Sequence, residues 1–164
     1  MVDLYNLSVH NQGISLDEMK AVCISAIKEN EEKLQGMTFD AIVVSTYRYP
    51  VFAKNFTTQV SQCANAYHHL ASIGDVTKVL ATYLKPEGSL LVADLIKGHS
   101  EDVIPDNAEH IVPHRGGFTE DEIRDAFSGA GFHSFSFAEV AKGKFKHAGQ
   151  PVAFFLARGD KRLS

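Results

Sequence analysis

The sequence of 164 residues lacks the signals of several common protein classes. Its longest apolar stretches, such as 152–157, are far too short to cross a bilayer, and its first residues lack the basic and apolar pattern of a signal peptide. Sixteen basic against twenty acidic residues give a net charge of −4, which does not favour nucleic acid or an anionic membrane as a partner. The two cysteines, Cys23 and Cys63, lie among apolar or small residues, as free thiols do in a reducing compartment. We therefore predict a cytoplasmic protein that binds neither nucleic acid nor a membrane.

Several catalytic signatures are absent as well. No G-x-G stretch follows a predicted strand, and no serine has the glycine context of a nucleophile elbow. His110 and His114 have the i, i+4 spacing of a helical metal site, but Pro113 interrupts that turn and no carboxylate or cysteine completes the ligand set. We therefore predict no metal site.

The sequence does contain short apolar runs that alternate with helical patterns. With 45% hydrophobic and 22% charged residues, the composition is that of one globular domain over 1–164. Strands are predicted at 19–27, 39–44, 89–95, 132–140 and 152–157. A first helix is predicted over Met1–Asn11, with a stop at Gly13. A second is predicted over 76–84, with Asp75 as its N-cap and an apolar stripe of Val76, Val79, Leu80, Tyr83 and Leu84. A third begins at a capping box of Thr119 and Glu122, and its inner stripe is Ile123, Ala126, Phe127 and Ala130.

The order of these elements predicts a layered α/β fold. A type I turn is predicted at Lys85-Pro86-Glu87-Gly88, between the second helix and strand 89–95. Because this helix connects strand 39–44 to strand 89–95 as a crossover, the two strands should be parallel. No helix fits between 132–140 and 152–157, which are expected to form an antiparallel hairpin. Ligands of such sheets bind at the carboxyl ends of the strands, here Ser45-Thr46 and Asp94-Leu95.

The segments FDAIVVS (39–45), AYHHL (66–70), VTKVLATYLKPEGSLLVADL (76–95) and GFTEDEIRDAFSGAGF (117–132) carry a family resemblance. Together with the last apolar strand they resemble the later two-thirds of a class I S-adenosylmethionine-dependent methyltransferase of the small-molecule type. The resemblance implies a Rossmann-like, mostly parallel sheet with a C-terminal antiparallel hairpin. It also implies an enzyme that transfers a methyl group from S-adenosylmethionine to a small-molecule acceptor.

The sequence departs from that family in two places. The family's first two strands and glycine-rich cofactor loop have no counterpart, so the strand at 21–27 is expected to pair with 39–45, to dock elsewhere, or to leave an edge that favours self-association. Thr46–Gln62 resembles a loop insertion or a retained intron. These departures keep an alternative open: a truncated, catalytically inactive fragment that acts as a binding partner or arises from an incomplete gene model.

The resemblance also suggests which residues form the site. The catalytic candidates are His68 and His69, of which one would deprotonate the acceptor; the alternative is a structural pair. Asp94 either faces the substrate or only turns the chain, and His114 and Arg115 either contact the substrate or lie in a solvated loop. The cofactor candidates are Ser45 and Thr46 on the methionine side, and Ser25, Ala26 and Met1 on the adenine side.

Overall fold

The computed structural model describes residues 7, 10–13, 36–45, 60–63, 67–98, 112–144 and 151–163. The chain divides into two compact units, Met1–Met37 and Thr38–Ser164. In the first unit, Leu7, His10 and Asn11 are helical and Gly13 has a φ of 73°, as expected for the end of a helix. The rest of that predicted helix and the predicted strand at 19–27 lie outside the described residues.

The second unit is built on a five-stranded mixed sheet with the order β2-β1-β3-β5-β4. β1 pairs in parallel with both β2 and β3, whereas β5 is antiparallel to β3 and β4. This topology confirms the predicted α/β sheet with parallel central strands and a C-terminal hairpin. The strands are β1 (Phe39–Ser45), β2 (Val60–Cys63), β3 (Leu84–Leu95), β4 (Phe132–Lys144) and β5 (Pro151–Lys161).

Strand β2 was not predicted from the sequence. Most of it lies in the segment interpreted as an insertion, 46–62, and its residue Ser61 is paired with Ile42 of β1. Strand β1 is therefore not an edge strand of the described sheet. A four-residue strand gives only a weak periodic signal, which explains why its sequence did not reveal it.

Helix α1 (Ile73–Thr82) lies between β1 and β3 in the chain and begins earlier than predicted. Its N-cap is Ser72, whose hydroxyl accepts from the N–H of Asp75, so the prediction of Asp75 as N-cap is wrong. Leu80, Tyr83 and Leu84 of the predicted apolar stripe pack in or against the core, as expected. The most buried residues of the helix are nevertheless Thr77 and Ala81, which the stripe did not include. Thr77 occupies a core position because its hydroxyl is hydrogen-bonded, as described below.

The segment Lys85–Gly88 forms an irregular part of β3 instead of a separate turn. Phe39 pairs with Leu84 and Ala41 with Ser89, so the four residues 85–88 of β3 form a bulge opposite the single residue Asp40 of β1. Glu87 has a φ of 62°, a value that contradicts the predicted type I turn. Gly88 lies close to the β1 backbone: a Cβ at this position would be 3.1 Å from the carbonyl oxygen of Asp40.

Helix α2 (Glu120–Gly129) begins at the predicted capping box, in which Thr119 and Glu122 each bind the other's backbone. Its Ile123, Ala126 and Phe127 are buried, as predicted. Helices α1 and α2 pack on the sheet face that carries Leu90, Val92, Phe155 and other core residues.

The opposite face of the sheet carries a polar cluster around Asp160 of β5. The Asp160 carboxylate accepts hydrogen bonds from Ser89 (2.6 Å), Ser134 (2.7 Å) and Arg158 (2.9 Å). Burial raises the pKa of Asp160, but these hydrogen bonds and the Arg158 charge outweigh it and bring the pKa to about 2. The cluster ties three adjacent strands together.

Candidate functional site

The carboxyl ends of β1 and β3 meet at one edge of the sheet, as predicted. Ser45 is the last residue of β1 and lies opposite Ala93 of β3, so the end of β1 is next to Asp94. A short 3-10 turn at Tyr67–His69 and the loop at 112–118 also contact this edge. In parallel α/β sheets, this edge is where ligands bind.

His68 and Asp94 form the central pair of the candidate site. The Nδ1 of His68 is 2.8 Å from Oδ1 of Asp94, and the backbone N–H of His68 donates to Oδ2 at 3.1 Å. Asp94 Oδ1 also accepts from the N–H of Leu95 at 2.7 Å. The Asp94 side chain is 0% exposed, while that of His68 is 12% exposed. The carboxylate is therefore held by three donors and the imidazole retains access to the surface.

This geometry selects one form of the imidazole. Asp94 accepts hydrogen bonds, so the neutral His68 ring places its proton on Nδ1. Its Nε2 then carries the lone pair and is the nitrogen that can accept a proton. A carboxylate that orients an imidazole and stabilises its protonated form is the arrangement used in general-base catalysis.

The loop at 112–118 is fixed to the same edge by its last residues. The N–H of Phe118 donates to the carbonyl of Leu95, and the N–H of Lys97 donates to the carbonyl of Phe118, both at 2.9 Å. Gly117 has a φ of 79°, and a Cβ at this position would be 2.7 Å from the carbonyl carbon of Leu95. Only glycine fits this approach.

His114 joins this loop to the His68 turn. Its backbone N–H donates to the carbonyl oxygen of His68 at 3.2 Å, and its ring packs on Phe118 with centroids 4.8 Å apart. Its Nε2 is buried and has no hydrogen-bond partner among the residues that the structure describes. The candidate substrate residue His114 thus lies beside the His68–Asp94 pair.

The remaining candidates are less closely joined to the pair. His69 is exposed, and its ring packs against that of His68 with centroids 4.3 Å apart. Arg115 is half-buried in the loop. Ser45 is placed by its backbone alone, and the predicted cofactor residues Thr46, Ser25, Ala26 and Met1 lie outside the described residues, as does His110.

The sequence did not reveal how these residues pair. His68 and Asp94 were both candidates, but nothing in their spacing indicated that they bind each other. Tyr67 and Thr77 were not singled out at all, although the Tyr67 hydroxyl is 2.8 Å from the Thr77 hydroxyl in the buried layer beneath His68. The only feature of the sequence that pointed to Tyr67 was its position directly before the two histidines.

In the described part of the chain, no group of three or more histidine, cysteine, aspartate or glutamate side chains is arranged to hold a metal ion. None of the helices in the same residues has the length and apolar character needed to cross a membrane.

Comparison with known proteins identifies one curated relative. A protein of Schizosaccharomyces pombe named as an uncharacterized methyltransferase is 34% identical over an alignment of 146 positions that covers 85% of this chain. The chain spans 44% of the length of that relative. No protein-family model matches the chain.

Solved structures share the fold at low sequence identity. The YcgJ protein of Bacillus subtilis matches with a TM-score of 0.54 and 14% identity, over 100% of this chain and 79% of its own. An O-methyltransferase family protein of Burkholderia thailandensis matches with a TM-score of 0.50 and 14% identity, over 98% of this chain and 40% of its own. Together with the methyltransferase relative and the sheet order, these likenesses confirm the predicted resemblance to the class I S-adenosylmethionine-dependent methyltransferase family.

Proposed function

We propose that this chain takes part in methyl transfer from S-adenosylmethionine to a small-molecule acceptor in the cytoplasm, with His68 as the general base. The observation that carries the proposal is the hydrogen bond of 2.8 Å between His68 Nδ1 and the fully buried carboxylate of Asp94. It lies at the edge of the sheet where α/β proteins bind their ligands.

The pair suits the proton transfer that methylation of a hydroxyl or amine requires. S-adenosylmethionine, when bound, supplies a sulfonium methyl group that bonds to the acceptor atom while the carbon–sulfur bond breaks and its electron pair stays on sulfur. His68 Nε2 takes the proton that the acceptor loses. Asp94 keeps Nδ1 protonated and stabilises the resulting imidazolium, which returns its proton to solvent through the exposed part of the ring.

The neighbouring residues suit the binding of an acceptor. His114 is attached to the His68 turn through its backbone, so we propose that it and Arg115 contact the acceptor, with His69 at the exposed rim. Asp94 is fully buried and bonded to His68 and Leu95, so we propose a positioning role for it, which differs from both alternatives that the sequence offered, a substrate contact and a turn of the chain.

The cofactor half of the site rests on position alone. Ser45 ends β1 beside Ala93, at the edge of the sheet where α/β proteins bind their ligands, and this position supports a cofactor site there. We propose that Ser45 and Thr46 contact its methionine part, and that Ser25, Ala26 and Met1 lie on its adenine side. The sequence has no glycine-rich loop after a predicted strand, which makes binding the first property to measure.

The test is calorimetric titration of the purified chain with S-adenosylmethionine and with S-adenosylhomocysteine. We expect micromolar binding of both. If a chain that is folded by circular dichroism binds neither, the proposal fails and the alternative of an inactive fragment, acting through a partner or by self-association, is supported.

The role of His68 is tested separately by the variants His68→Gln and His69→Gln, assayed for S-adenosylhomocysteine release with a panel of phenol, catechol and amine acceptors. Loss of a general base costs about 100-fold to 10,000-fold in rate, so His68→Gln should be nearly inactive while binding S-adenosylmethionine normally. His69→Gln is the matched control. Equal loss in the two variants would contradict the assignment of the base to His68.

A further inference from the structure

We propose that Tyr67 is the residue that positions His68, and that it acts through the hydrogen bond of its hydroxyl to Thr77. For its effect on rate, this inference rests on the proposed function. Its structural part concerns the His68–Asp94 hydrogen bond itself and is measured without cofactor or acceptor.

The first observation is a buried chain of hydrogen bonds beneath the site. The Tyr67 and Thr77 side chains are both 0% exposed, and their hydroxyl oxygens are 2.8 Å apart. Thr77 donates its single hydroxyl proton to the carbonyl oxygen of Ile73 at 2.6 Å. The Tyr67 hydroxyl is therefore the donor to Thr77, and the chain runs from Tyr67 through Thr77 to the backbone of α1.

The second observation is that His68 lies on a segment with little internal support. The 3-10 turn has only three residues, and it closes with the N–H of Leu70 donating to the carbonyl of Tyr67 at 2.9 Å. A single turn of this kind is not stable by itself. Its position must come from contacts with the rest of the fold.

Tyr67 supplies such a contact on the buried side. Its ring lies edge-on to Phe118 with centroids 6.4 Å apart, and Phe118 is bonded through its backbone to Leu95 and Lys97. The ring limits lateral movement, while the hydroxyl fixes how deeply the turn sits above α1. Since His68 directly follows Tyr67, this depth sets the distance between His68 Nδ1 and Asp94.

The position of His68 affects the reaction rate, because a general base must lie within hydrogen-bond distance of the proton that it accepts. A base displaced by about 1 Å costs up to about 100-fold in rate, although every catalytic group is still present. Loss of the Tyr67 hydroxyl should therefore loosen the His68–Asp94 bond and lower the rate, with the packing of the ring retained.

The experiment compares four variants of the full chain. Tyr67→Phe and Thr77→Val each remove one end of the hydrogen bond and keep the shape of the side chain. Thr77→Ser retains the hydroxyl and should restore wild-type behaviour. Thr82→Val is the matched control, because Thr82 lies on the same helix and its hydroxyl donates to the Val79 carbonyl at the exposed surface.

The primary measurement is the exchange rate with water of the His68 Nδ1 proton, observed by proton–nitrogen NMR and assigned by its loss in His68→Gln. One buried hydrogen bond corresponds to about a tenfold change in equilibrium, so Tyr67→Phe and Thr77→Val should speed exchange about tenfold. Thr77→Ser and Thr82→Val should stay within about twofold of wild type. The backbone N–H of Val92 in the core reports global opening, which loss of a buried hydrogen bond also favours, so the free energy of opening at Val92 should stay well above that at Nδ1 in every variant.

The outcomes separate this inference from the proposed function. Unchanged Nδ1 exchange in both Tyr67→Phe and Thr77→Val overturns the positioning role, as does a free energy of opening at Nδ1 that equals the one at Val92. If one of these variants does not fold, the other decides. A chain that shows the expected exchange pattern but binds no S-adenosylmethionine overturns the proposed function and leaves the positioning role intact.

If the chain is active, a second readout follows from the same variants. Tyr67→Phe should lower kcat about tenfold and leave the KM for S-adenosylmethionine unchanged, because it displaces the base and not the cofactor. The double variant Tyr67→Phe/Thr77→Val should lose no more than either single one. Additive losses would contradict a shared hydrogen bond.

Discussion

Two aspartates on neighbouring strands, Asp94 and Asp160, accept three or more hydrogen bonds each and yet differ in what their partners can do. Asp160 binds two serine hydroxyls and the Arg158 guanidinium, and its side chain is 26% exposed on the face opposite the helices. Asp94 binds two backbone N–H groups and the imidazole of His68, and it is 0% exposed.

The difference lies in the chemistry of the partners. The donors around Asp160 do not change their protonation near neutral pH, so this carboxylate only joins strands. Asp94 instead holds a ring whose second nitrogen can gain and lose a proton, and it is placed at the carboxyl edge of the sheet. A buried carboxylate thus indicates a site only when it orients a group that can react.

The largest expected effect is that of Asp94→Asn on rate. The amide no longer forces the His68 proton onto Nδ1, so the base is lost and the rate should fall about 100-fold to 10,000-fold. Initial rates of S-adenosylhomocysteine release measure it. Asp160→Asn is the control and should keep its rate within about threefold. Equal losses would remove the distinction between the two carboxylates.

The next effect concerns the loop that contacts the Asp94 edge. Gly117→Ala forces a Cβ against the Leu95 carbonyl at a φ of 79°, so the free energy of unfolding should fall by about 3 kcal/mol. Urea denaturation measures it. Gly129→Ala, at a helical glycine with open space around it, should be neutral or stabilise by about 0.5 kcal/mol. A tolerated Gly117→Ala would show that the loop is not fixed to β3.

A smaller effect, on pH dependence, is expected at Asp160. Its pKa is lowered from the usual 3.8 to about 2, so its contribution to stability is present above pH 4 and is lost as the pH falls through 2. This contribution is about 2 kcal/mol at neutral pH. Urea denaturation of wild type and Asp160→Asn should therefore differ most above pH 5, and about half of the difference should remain at pH 3. A difference independent of pH would contradict the hydrogen-bonded, ionised state.

The smallest effect is expected at the start of α2, directly after the loop. Thr119→Ala removes the hydroxyl that accepts from the N–H of Glu122 at 3.2 Å and should cost about 1 kcal/mol. The His68–Asp94 pair should remain intact, as judged by the Nδ1 proton of His68. If that proton exchanged faster in Thr119→Ala, the site would depend on more than the contacts described above.

The sheet was largely predictable because its signals are local. The apolar run 39–44, the strand at 89–95 and the hairpin strands each appear in the structure, with the hairpin strands longer than predicted. The capping box of Thr119 and Glu122 also needs only residues close in sequence. Local patterns determine these elements, so the sequence is sufficient to find them.

One error was local, because Ser72, three residues before Asp75, is the N-cap of α1. The other errors occurred where residues distant in the sequence decide. The buried hydroxyl of Thr77 binds the hydroxyl of Tyr67, ten residues away in the sequence. Likewise, His68 and Asp94 are 26 residues apart, and no periodic pattern connects them. Candidate residues could be named from the sequence, but their pairing required the fold.

The attachment of Phe118 beside β3 sets a limit on how this protein can vary in length. Phe118 forms a parallel bridge with Ile96, and bonded strands can shift only in whole residues. An insertion or deletion of a single residue between His114 and Phe118 would move the His114 N–H away from the His68 carbonyl that accepts it, even if every side chain were kept. Related sequences that conserve this chemistry should therefore keep the number of residues in this stretch constant while its exposed side chains change.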